Sequence, residues 1–241
     1  MLTRRLMFAT VLLAASPALA AAPVYVPDAG PGLSPRAEGM VRSLKAVIKA
    51  RRAALEALPP ASPGDRLVRM AALEQAARET LYGLDFESLD MAERRVALNA
   101  AWSLVEAIDR RNQAGLKALI REELPAEGGW FGRTAWGEEA ARSAWLITVH
   151  AVNDRKLMRE AAGRMAPLVA DAEVIPAWYA SVVDRLAVLE GRPQRFGTQP
   201  VCRAGAWVVG AVEDPAGLDA RRTELGLQGM ETRDFRPPPG C

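Results

Sequence analysis

PAWYASVVDRLAVLE, residues 176–190, is apolar almost all the way round a helix, yet it carries Asp184 and Arg185 side by side at its middle. With about 100° between successive residues, Trp178, Val182, Leu186 and Leu189 share one face, and Arg185 projects into that face. Asp184 turns about 100° away, among Ala177, Ala180 and Val188. A helix apolar on every side is normally a central one. Both charges are therefore expected to be at least partly desolvated, each with its own partner.

The segments before this helix read as further helices. Ser34-Pro35 supplies an N-cap and a proline at the first helical position. Met40, Val41, Leu44, Val47, Ile48, Leu55 and Leu58 then follow at helical spacing up to Pro59-Pro60. A second helix opens at residues 62–65 and fades near Gly83. A third, capped by Asp90, carries Val96, Trp102, Val105 and Ile108 and passes a break near Gly115 into Leu116, Leu119 and Ile120. After the glycine-rich loop 127–132, a helix from Gly137 to Ala151 bears the chain's single histidine, His150. Asn153 or Asp154 caps another helix, ending near Ala170.

Downstream the pattern changes. Residues 194–201 and 206–212, rich in Phe, Thr, Val and Trp, flank Arg203-Ala204-Gly205 and read as a β-hairpin. A last short helix carries Arg221 and Arg222, read as a solvated face, and stops at Gly226. The expected fold class is mainly α: a multi-helix, bundle-like domain with one small C-terminal β-hairpin at 194–212. A single domain spans 34–230, with N-terminal helices over 34–108 and the hairpin-bearing part over 109–230.

Residues 1–20 read as an export signal, with Arg4 and Arg5 ahead of a short apolar run and Ala18-Leu19-Ala20 as the cleavage site. A Sec signal is favoured over the twin-arginine type, and the mature chain is expected to be periplasmic or secreted, with no transmembrane anchor. Residues 21–33 read as a flexible leader and 231–241 as an extended tail. Two of the chain's 31 Lys and Arg residues lie in the signal, leaving bases equal to the 29 acids. Such a balance argues against nucleic acid as a partner. Cys202 and Cys241 can pair after export, or remain a buried thiol and a frayed one.

From about 109 to 229 the chain resembles an uncharacterised bacterial family, domain of unknown function 6624. The resemblance rests on Gly129-Trp130, on Ala144-Trp145-Leu146 with His150 following, and on Asp184-Arg185. It continues through Gly191-Arg192-Pro193-Gln194, Phe196-Gly197-Thr198-Gln199 and Arg221-Arg222 before Gly226-Leu227. Val149, Val152 and Phe196 depart from the family pattern of glutamine, aspartate and tyrosine, stripping polar groups from around His150. The resemblance points to residues and implies no activity.

His150, Asp184 and Arg185 are the candidate catalytic residues. The candidate ligand-binding set is Trp130, His150, Arg185, Gln194, Thr198 and Gln199. An imidazole titrates near neutral pH, and a planar guanidinium holds a carboxylate, a phosphate or backbone carbonyls. Asp184 is read either as the orienter of His150 or as an acceptor for hairpin N–H groups. Gly197-Thr198-Gln199 suits a bulge or a ligand contact, and Trp130 either stacks on a sugar ring or caps the core. One histidine and two distant cysteines do not make a typical zinc site, and no cofactor is implied. No nucleophile elbow is present. The preferred reading is therefore a non-catalytic domain of the cell envelope that binds a small molecule, an envelope component or a protein. The rival is a hydrolase-like enzyme using His150 as general base with Asp184 and Arg185.

Overall fold

A computed structural model describes residues 32–204 and 206–230. Its eight α-helices, among the described residues, are α1 (Pro35–Glu56), α2 (Pro63–Tyr82), α3 (Met91–Glu123), α4 (Arg133–Trp136), α5 (Glu138–Val149), α6 (Arg155–Met165), α7 (Pro176–Leu189) and α8 (Leu218–Glu224). Among the described residues the one sheet is an antiparallel pair, β1 (Pro200–Arg203) and β2 (Ala206–Val209), with Val201 opposite Val208. The chain is thus mainly helical with a single C-terminal hairpin. The export signal, most of the leader and the tail lie outside the described residues. No described helix is long and apolar enough to cross a membrane.

The helix starts follow capping chemistry. The side chains of Ser34, Ser62, Asp90 and Asp154 accept from Ala37, Asp65, Glu93 and Leu157 N–H, each satisfying an orphan donor of a first turn. α3 runs unbroken through Gly115. A Cβ there would lie 2.5 Å from Met70 Sδ, so the glycine admits α2 to close packing and does not end the helix. Asp154, not Asn153, caps α6, and regular helix ends at Met165, short of Ala170, before a 3-10 turn with Pro167.

Two apolar cores form. One joins Ala37, Leu44 and Ile48 of α1 to Leu81 of α2 and Val105 and Ile108 of α3. The other gathers Leu67, Leu116, Phe131, Ile147, Met158 and Val182 from α2, α3, α5, α6, α7 and the loop before α4. α2 touches α1, α3 and α5 and so runs through both cores.

The central position expected for α7 belongs instead to α2. α7 packs on α5 and α6, with Trp178 stacked on Trp145 at 5.3 Å, and Val188 on its far side is 39% exposed. Its uniform apolarity does not mean burial on all sides, because small residues such as Ala177 tolerate solvent at little cost. The hairpin is likewise shorter than its sequence suggests. Residues 194–199 leave the ladder to wrap the end of α7, and only a bridge from Gln194 to Val212 ties that segment to the later strand region.

Candidate functional site

Glu74 sits on the apolar stripe of α2 between Ala71 and Ala77 and is fully buried. A carboxylate there needs donors, and three converge on it, two from neighbouring elements and one from α2 itself. Asn112 of α3 donates to Oε2 at 3.0 Å, Arg78 stands one turn along at 3.7 Å, and His150 Nδ1 meets Oε1. Arg78 then makes a two-pronged bond to Asp109, 3.0 Å on each arm, and lies 6.0 Å from the Trp102 ring centre. Burial raises the Asp109 carboxyl above its ordinary range, and the nearby Glu74 charge adds to this against the opposing pull of Arg78 and His150. Two carboxylates, one guanidinium and one imidazole thus share the joint between the two apolar cores.

His150 is the C-cap of α5, its backbone N–H bonded to Leu146 C=O at 3.2 Å. Its side chain is 19% exposed. A carboxylate only accepts, so Nδ1 carries a ring hydrogen toward Glu74 and Nε2 is the ring nitrogen left over. Among the described residues Nε2 has no hydrogen-bond partner.

Asp184 is elsewhere and does other work. Its fully buried carboxylate accepts from Arg195, Phe196 and Thr198 N–H at 2.7, 3.0 and 2.7 Å and from the Thr198 hydroxyl at 2.8 Å. Those contacts saturate both oxygens, so Asp184 does not orient His150. Glu74 does. The other side of the same loop is served by α8: Arg221 Nε donates to Arg195 C=O at 3.1 Å, and Arg222 donates to Phe196 C=O at 2.6 Å. The two arginines read as a solvated face are therefore loop anchors, and Arg222 is only 5% exposed. Gly197 turns this loop with φ +66°, where a Cβ would crowd Val209 at 3.3 Å.

Of the expected ligand-binding residues, Gln194 and Gln199 face each other. The Gln194 amide donates to Gln199 C=O and accepts from Gln199 N–H, at 2.8 and 2.7 Å. Thr198 is on Asp184. Trp130 is 4% exposed and packs edge-on against Phe131 in the larger core, so it caps the core and is not presented to a ligand with His150. Cys202 is on β1, and its candidate partner Cys241 lies outside the described residues.

Among the described residues Arg185 joins the hairpin loop to the His150 region. Its Nε donates to Gln199 Oε1 at 2.8 Å and its Nη1 to Val149 C=O at 3.2 Å. It is half-buried, and burial, aided by the positive charge of Arg78 and opposed by Tyr82, lowers its guanidinium from the ordinary value. Among the described residues no carboxylate lies within ion-pair distance of it, and its Nη2 has no partner. No three His, Cys, Asp or Glu side chains are grouped as a metal would need, again among the described residues.

Glu74, Arg78, Asp109 and Asn112 were not singled out in the sequence. A signal for them exists: each interrupts an apolar stripe at helical spacing, Glu74 and Arg78 between Leu67 and Leu81, Asp109 and Asn112 between Val105 and Leu116.

No curated protein and no solved structure matched the chain. The comparison with known families matched residues 67–234, a span that starts ahead of Glu74 and takes in all of the polar joint as well as the hairpin loop. The chain therefore belongs to the family described as Family of unknown function (DUF6624).

Proposed function

We propose that this is an exported, non-catalytic domain that binds a small anionic ligand, a carboxylate or phosphate, at the face formed by Arg185 and His150. The observation that carries this is Arg185: a half-buried guanidinium that, among the described residues, has no acid to neutralise it. Interior charges are ordinarily paired, so an unpaired one is completed by a ligand of opposite sign. Glu74 holds the imidazole from behind, as an orienting carboxylate does in many sites, and leaves Nε2 for the ligand. The carboxylate–imidazole pair also supports a second reading, in which His150 acts as a general base. Binding is preferred because Arg185, bonded to the carbonyl of the residue before His150, has no acid within ion-pair distance among the described residues.

The only histidine gives one set of imidazole signals, so the test is direct. Protein recovered from the periplasm, its N-terminus at Ala21 checking export, is titrated with phosphate and with acetate while the ring nitrogens are followed by NMR. A saturable shift of Nε2, lost in Arg185→Gln, is expected. No shift with either anion, or an undiminished shift in Arg185→Gln, would overturn the reading.

A further inference from the structure

Two hollows run along the groove between α1 and α3. One, about 450 Å³, is walled by Leu55, Leu58, Leu73 and Ile108. The other, about 510 Å³, continues past Ile48 and Leu104, and the two share Arg52, Glu56 and Arg111. Each volume falls in the roughly 300–1,000 Å³ range of small-molecule sites.

The rim of the groove is cationic. Lys45, Lys49 and Arg52 stand at helical spacing along α1, and Arg111 faces them from α3. Among the described residues none of these four has an ion-pair partner, and Glu56 is the one acid lining either hollow. Neighbouring cations behave differently. Arg66 pairs with Glu122, while Arg69 pairs with Asp65 and donates to Leu55 and Pro59 carbonyls, which fixes the α1–α2 turn as a wall. The groove is thus pre-formed, oily within and positive at its edge.

We propose that this groove binds a single-chain anionic amphiphile, a long-chain fatty carboxylate, with its hydrocarbon in the first hollow and its head between Arg52 and Arg111, where the two hollows meet. Charge complementarity argues against residues 231–241 as the occupant, since their two acids are balanced by two arginines. The site is separate from the Arg185 face, although Asn112 lines the first hollow and also donates to Glu74.

The probe is cis-parinarate, a fluorescent fatty acid, bound to the full-length protein and displaced by palmitate. Saturable binding is expected, weakened by added salt and about tenfold weaker in Arg52→Gln/Arg111→Gln. Both side chains lack partners, so the double variant should melt as the parent does. Leu73→Glu, which places a like charge inside the hollow, gives a second loss of binding. Methyl palmitate should compete about tenfold more weakly than palmitate. Absence of saturable binding, equal affinity in the double variant, or equal competition by methyl palmitate would each overturn the proposal. So would binding to phosphatidylglycerol vesicles or to an acidic helical peptide with none to parinarate.

Discussion

At the scale of single residues, two buried carboxylates solve the same problem in different ways. Asp184 takes its donors from backbone, so it acts as a template on which residues 195–198 are folded. Truncation leaves three N–H groups with no acceptor, one on exposed Arg195, one on half-buried Thr198 and one on buried Phe196. Each costs about 1–3 kcal/mol, so Asp184→Ala should lose roughly 3–5 kcal/mol in urea denaturation. The amides of Arg195, Phe196 and Thr198 should lose protection from hydrogen exchange while α5 and α6 keep theirs. Glu74 takes its donors from side chains on three helices, so it acts as a joint and not as a template. Spacing could mark both as charges on apolar faces, but it could not say which of them would meet the imidazole.

At the scale of elements, caps and punctuation were legible because they are local. Ser34, Ser62, Asp90 and Asp154 each bond an N–H three residues on, and a short window contains both partners. Asp154 has a second task, since Lys117 of α3 reaches it at 2.7 Å. Burial alone would raise its pKa, but the Lys117 bond and the Leu157 N–H outweigh that and lower it below the ordinary 3.8. A depressed carboxyl contributes stability above the unfolded value, lost as pH falls through the folded one. Asp154→Asn keeps the cap and removes the charge. It should cost about 0–1 kcal/mol at neutral pH, and its stability should fall less steeply than the parent's below the ordinary carboxylate range, as read by urea midpoints across pH. Gly115 illustrates the limit of local reading. A glycine in a helix signals a break or a close neighbour, and only the approach of Met70 decides for the neighbour.

At the scale of the whole molecule, the ionic joint of Glu74, Arg78, Asp109 and His150 lies where two oily cores meet along α2 and α3. Removing one member strands the others, so Glu74→Ala should lose about 3–5 kcal/mol. Replacing the set together has the opposite expectation. Glu74→Leu/Arg78→Met/Asp109→Leu exchanges desolvated charges for packed hydrocarbon and should be neutral or gain about 1–4 kcal/mol, while releasing His150 from its anchor. Urea denaturation of the single and triple variants checks the contrast; a triple variant weaker than Glu74→Ala would mean that the ion network itself holds the two cores in register.

By itself, the sequence determined the helical class, the placement of most caps and stops, the C-terminal hairpin and the family, because periodicity, capping and motif order all act within short stretches of chain. Only the tertiary structure decided that α2 runs through both cores, that Asp184 serves a loop, that Glu74 holds His150, and that Arg185 has no acid partner among the described residues. Those facts depend on contacts between residues as far apart as Glu74 and His150, and helical spacing fixes the direction of a side chain without naming what it will meet.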